Sequence, residues 1–102
     1  MTGGLRSRNK GLRRERELAH LVDGERVPLS GAAGGSYIGD VTAFGLTFEV
    51  KARAAGFKLL YRWLENADAL ALKADREPWL VVIPLDLFKD LQDALEEAQT
   101  HV

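Results

Sequence analysis

The chain has no cysteine among its 102 residues. Disulfide frameworks, thiolate zinc sites and cysteine nucleophiles are therefore excluded, and the composition suits a reducing compartment. No apolar run is long enough to span a bilayer, for which about 20 consecutive apolar residues are needed. Residues 1–10 (MTGGLRSRNK) hold none of the apolar stretch of a secretion signal, so a cytoplasmic location is expected. There is also no Gly-Lys-Ser/Thr step. The glycine-rich segment Ser30-Gly31-Ala32-Ala33-Gly34-Gly35-Ser36 does not open a helix either, which removes a P-loop from consideration. What is present is ordinary for a globular protein: 46% apolar and 28% charged residues. A chain of this length has room for one domain with one modest core.

The net charge of −1 hides a split. Residues 1–62 carry eleven Lys/Arg against six Asp/Glu, a balance of +5. Residues 63–102 carry three against nine, a balance of −6. A basic half favours phosphate-bearing partners; long solvated charged faces are the plainer explanation.

Residues 1–10 read as a flexible basic arm preceding one domain over 11–102. Leu12, Leu18, Ala19 and Val22 lie on one stripe of a helix from Gly11 to about Val22, closed by Asp23-Gly24. Arg26–Ser30, Val41–Ala43 and Leu46–Ala52 read as strands, with Gly31–Gly39 a loop. Leu59–Lys73 reads as a helix ended before Pro78. Trp79–Ile83 is an apolar run of strand length between two prolines, expected to be buried with Trp79 in the core. Leu87, Leu91, Ala94, Leu95 and Ala98 form a last helical stripe. The order αβββαβα predicts an α/β domain with a mixed central sheet flanked by helices.

The informative stretch runs from Gly39 to Lys51. A two-residue turn at Phe44-Gly45 sets Ala43 against Leu46, Thr42 against Thr47, Val41 against Phe48, and Asp40 against Glu49. Val41, Leu46, Phe48 and Val50 then share a face able to pack on a helix, and Asp40, Thr42, Thr47, Glu49 and Lys51 share the other. Directly opposed residues carry Cβ atoms about 4.5–5.5 Å apart, where like charges repel. A divalent cation neutralises such a pair, and Mg²⁺ is commonly held by one or two carboxylates with water and phosphate oxygens. Lys51 stands two residues past Glu49, suited to orient a water or balance charge on phosphorus. The alternative is an exposed charged face on which Lys51 only neutralises Glu49.

The helix offers another carboxylate. Glu15 falls near the middle of the apolar stripe and Glu17 well off it. A carboxylate there needs a metal or an ionic partner; both readings stand, because an arginine is able to reach it.

Taken in order, these residues resemble the archaeal-type Holliday-junction resolvases, a branch of the PD-(D/E)XK nuclease superfamily. Gly11-Leu12-Arg13-Arg14-Glu15-Arg16-Glu17-Leu18 is similar to the family's opening G-x-x-x-E-R-E-L, and Ser30-Gly31 to its S-G loop. Gly39-Asp40-Val41 stands for P-D-[IV], with glycine replacing proline, and Phe48-Glu49-Val50-Lys51 for [IV]-E-x-K. The resemblance covers residues 11 to about 85. It implies a restriction-endonuclease-like fold and Mg²⁺-dependent cutting of four-way DNA junctions by a homodimer, with Mn²⁺ as a substitute. Asp40, Glu49 and the Val50 carbonyl would hold the metal, Glu15 would contribute from the helix, Lys51 would act on the water, and Ser30 would sit near the scissile phosphate. The short chain suggests a phage-encoded member working in a host cytoplasm.

Arg6, Arg8, Lys10, Arg13 and Arg14 precede or flank Glu15, and Arg53 and Lys58 follow Lys51. With Gly31 they are the expected DNA contacts, reading phosphates rather than bases; a solvated tail is the alternative for the first of them. Leu60, Tyr61, Trp63 and Leu64 form a dense apolar cluster, part of it expected in a dimer interface; the alternative is that all of it is core. Two other functions are compatible with the same residues: a nuclease for other branched or duplex DNA, and a non-catalytic DNA-binding protein on the same fold.

Overall fold

The computed structural model describes residues 3–27 and 40–100. The fold is mixed α/β, with three helices and two antiparallel sheets among the described residues. It divides into two compact units, residues 1–54 and 55–102. No helix among the described residues is long and apolar enough to cross a membrane.

In the first unit α1 spans Gly3–Leu21, so it starts well before Gly11. Its end is built by Asp23 and Gly24. The Gly24 amide donates to the Ala19 carbonyl at 2.8 Å and the Asp23 amide to the His20 carbonyl at 3.4 Å, with Asp23 in the left-handed region at φ 52. This is a Schellman closure, but glycine stands one place beyond the residue that usually requires it. Gly24 is needed for space instead. A Cβ there would lie 2.5 Å from the Thr42 carbonyl oxygen, 3.1 Å from the Ala43 Cβ and 3.2 Å from the Val22 Cγ2. Gly24→Ala should therefore lose about 1–3 kcal/mol in urea denaturation through overpacking; an unchanged midpoint would mean that the strand yields freely.

The sheet of this unit joins β1 (Glu25–Arg26), β2 (Asp40–Ala43) and β3 (Leu46–Glu49) in that order, all antiparallel. β1 begins one residue before the position expected from sequence, and β3 stops at Glu49 rather than Ala52. Glu49, opposite Asp40, is the last rung of the pair. The hairpin register is the one the alternation predicts: Asp40↔Glu49, Val41↔Phe48, Thr42↔Thr47 and Ala43↔Leu46. Phe44 and Gly45 both have positive φ, 57 and 74. That combination belongs to a type I′ turn, whose twist matches the strands it joins. α1 lies over one face, where Val22, Val41 and Ala43 are buried and Phe48 is half-buried. Leu46, next to the turn, stays 48% exposed rather than packing on the helix.

The second unit contains α2 (Lys58–Leu64), β4 (Leu70–Leu72), β5 (Leu80–Val82) and α3 (Leu85–Thr100). Residues 70–72 belong to a strand and not to the helix expected over Leu59–Lys73, so the order is αβββαββα and the pairings form two antiparallel sheets instead of one mixed sheet. α2 ends because its last turn tightens: the Glu65 amide donates to Arg62 and the Ala67 amide to Leu64, both three residues back. The Asn66–Asp68 stretch then favours a turn. Leu70, Ala71 and Leu72 pair with Val82, Val81 and Leu80. α3 starts directly after Pro84, whose carbonyl accepts from the Phe88 amide at 3.1 Å.

No described residue of 55–100 is fully buried. Trp79, Leu80 and Val81, expected in the core, are 65%, 61% and 68% exposed. A two-stranded ribbon has no third strand to flank it, so its apolar run is not enclosed as a central strand is. Leu60 and Leu64 are half-buried, while Tyr61 and Trp63 project outward. With Phe57, Ile83 and Pro84 among its other walls, Leu60, Tyr61 and Leu64 line an apolar groove of about 490 Å³.

Candidate metal and nucleic-acid site

β2 and β3 bring Asp40 and Glu49 to the same rung of the ladder. Glu49 and Lys51 stand on the solvent side, 59% and 58% exposed, and the Lys51 Nζ lies 2.9 Å from the Glu49 Oε1. Lys51 is past the end of β3, yet it returns to the last rung because its side chain spans the two-residue step. A pair this open to water contributes at most about 1 kcal/mol to folding. Stability alone gives little reason for it.

Glu15 is buried at 3% exposure, as the helical stripe predicts, and Glu17 is on the surface, bonded to Arg14 at 2.8 Å. The Glu15 Oε1 accepts a 3.1 Å hydrogen bond from the Arg26 Nε. Arg26 pairs in register with Val41, so it belongs to the face that α1 covers. Glu15 is thus anchored on the helix side of the sheet, while Glu49 and Lys51 face away from it. Its Oε2 is buried and has no hydrogen-bond partner among the described residues. Among the described residues no three His, Cys, Asp or Glu side chains group closely enough to hold a metal ion.

The expected DNA contacts separate into several sets. Arg6, Arg8 and Lys10 fall within α1 upstream of Glu15. Arg13 and Arg14 are exposed, Arg14 being tied to Glu17. Arg53 is exposed and donates to the Ala52 carbonyl. Lys58 opens α2 in the second unit and is exposed. Ser30 and Gly31 lie outside the described residues. Sequence reasoning left Arg26 without a role; the signal available was that it is the first basic residue after the helix turn, on a strand that must return beneath Glu15.

Comparison with protein-family models, with curated proteins and with solved structures returns no match for this chain.

Proposed function

We propose that the chain is a metal-dependent DNA endonuclease of the PD-(D/E)XK kind acting on four-way junctions. The observation that carries the reading is the Asp40–Glu49 rung with Lys51 folded onto it. Two carboxylates opposed on one rung repel each other unless a cation sits between them. The donor set suits a hard ion: two carboxylate groups and the Val50 carbonyl, with open positions for water and phosphate. Mg²⁺, or Mn²⁺ in its place, supplies Lewis acidity and a more acidic bound water when held there. Lys51 keeps its ammonium at this rung, within reach of a non-bridging phosphate oxygen or an attacking water, where it stabilises charge developing on phosphorus. Glu15 lies on the helix side of the sheet, so it would have to approach the end of the rung from that side. Its Oε2, without a hydrogen-bond partner among the described residues, is the atom a cation there would satisfy. Ser30, the arginines of α1, Arg53 and Lys58 belong to the same proposal as phosphate-side groups, as does the restriction-endonuclease-like arrangement. Paired nicks need two active sites, and the exposed apolar residues of α2 and β5 provide surface for a second copy.

The test is Mg²⁺-dependent cutting of a labelled four-way junction beside linear duplexes of the same arms. Symmetric nicks near the branch point are expected, from a protein that sediments as a dimer. Equal cutting of every substrate would retain the nuclease and remove its junction preference. Lys51→Ala should bind DNA as the wild type does and lose turnover by about 10²–10³-fold, the scale of one removed charge-stabilising donor. Lost DNA binding would instead make Lys51 a phosphate anchor.

A second reading is favoured by the two ion pairs. Lys51 partners Glu49 and Arg26 partners Glu15, so the acids are partly neutralised by the chain itself. A non-catalytic DNA-binding protein would show junction binding and no cutting with either metal.

A further inference from the structure

Trp79, Leu80, Val81, Val82 and Ile83 form an apolar run with Pro78 before it and Pro84 after it. β5 lies within this run and pairs on one side, with β4. Its other edge has no strand partner among the described residues, and such an edge presents a row of amides and carbonyls to any chain that can pair with it. Edge strands are ordinarily guarded by a charge, a bulge or a proline within them. This run carries no charge and no glycine, and its prolines stand at the two ends. Trp79, Leu80 and Val81 are each more than half exposed. The outer edge of β4 differs, with Asp68 and Lys73 close to its ends. Of the two edges of this sheet, that of β5 is the unguarded one. Beside it lies the apolar groove, with Val82, Ile83 and Pro84 among its walls.

We infer that β5 pairs antiparallel with β5 of a second copy of the chain, about a two-fold axis at Val81. The inference rests on the second copy that paired nicks require, and adds the contact that joins the two. Pro78 and Pro84 stand equally far from Val81 on either side. Centred there, the ladder sets Val81 against itself, Leu80 against Val82, Trp79 against Ile83 and Pro78 against Pro84. Proline has no N–H to donate, and this register keeps both prolines opposite each other, outside the apolar run. A slip by two residues sets a proline opposite Val82 or Leu80 and removes donors from the ladder. Arg76 and Asp86 are also equally far from Val81, so opposite charges come to the same end of the pairing. Directly opposed residues share a face. Trp79 of each copy therefore lies beside Ile83 of the other, at the groove that Ile83 lines. An aromatic anchor in an apolar pocket is where binding energy usually concentrates. Each copy makes the contact once, as an isologous dimer requires. The pairing closes at two copies, because the edges left outside are those of β4, with their flanking charges.

The experiment is sedimentation velocity of the full chain without DNA, over a series from about 1 μM to 1 mM, the span in which small interfaces associate. Wild type is expected to be a dimer at the upper end. Val81→Glu and Val81→Lys each set like charges against each other on the axis, and should weaken association roughly 100-fold. An equimolar mixture of the two variants should recover the dimer, because opposite charges then meet. Both should keep the circular dichroism of the wild type, since Val81 is exposed. Trp79→Ala should weaken the dimer about 30-fold, the scale of one anchor removed. A wild type that is monomeric throughout would overturn the pairing, as would single Val81 variants that dimerise like the wild type. A mixture that stays monomeric would overturn the two-fold register at Val81. Loss of circular dichroism in both variants would do the same, by assigning Val81 to the chain's own packing. A protein that pairs in this way and cuts no DNA removes the nuclease and leaves the interface. Symmetric junction nicking at full rate by both Val81 variants removes the interface and leaves the nuclease.

Discussion

Asp40→Asn is expected to cut a four-way junction about a thousandfold more slowly than the wild type, or not at all. Metal-derived charge stabilisation is worth several kcal/mol, and each 1.36 kcal/mol is a factor of ten in rate. Stability should move the other way. Asp40 stands opposite Glu49 on the terminal rung, so neutralising it removes a like-charge pair; a gain of a few tenths of a kcal/mol is the expected scale. Metal linkage provides a readout independent of turnover. Mg²⁺ that binds only the folded state raises Tm, and Asp40→Asn should lose that rise. An inactive variant that is also less stable, with the Mg²⁺ response intact, would return Asp40 to a structural role.

Arg26→Ala is expected to destabilise the protein by about 3 kcal/mol, measured by urea or thermal unfolding. Removing one partner of a buried ion pair leaves the other charge uncompensated, typically at 3–5 kcal/mol. The lower end applies because the Arg26 side chain is 35% exposed, whereas that of Glu15 is 3% exposed. Adding Glu15→Leu to Arg26→Ala should recover most of the loss, since an apolar residue then occupies the apolar stripe. If Arg26→Ala is silent, the 3.1 Å contact has no energetic weight and Glu15 is held by something else. The same site separates structure from chemistry. Glu15→Gln keeps one acceptor for Arg26, so it should remain folded and lose cleavage, while Glu17→Gln should change neither. A folded Glu15→Gln that cuts normally would confine Glu15 to its bond with Arg26.

Where side-chain alternation and a short loop suffice, the fold is legible in the residues. The register of β2 and β3 follows from matching Val41 to Phe48 and Asp40 to Glu49, because a slip by one would turn Val41 out of the core. The position of Glu15 follows from helical period alone, and it is the buried acid of α1. The β4 strand was not legible. Leu70, Ala71 and Leu72 continue a pattern that a helix accommodates equally well, and only their pairing with Leu80–Val82 makes them a strand. Short apolar runs carry this ambiguity by nature.

Local chemistry thus determined the hairpin, its turn, the helical stripes and the pairing of two carboxylates on one rung. Each depends on neighbours a few residues away along the chain. Tertiary structure alone decided that Arg26 reaches Glu15, that a Cβ on Gly24 would lie 2.5 Å from the Thr42 carbonyl oxygen, and that Trp79 and Val81 stay exposed. These depend on which distant segments pack together and on how many strands flank an apolar run, and no window of sequence contains that information.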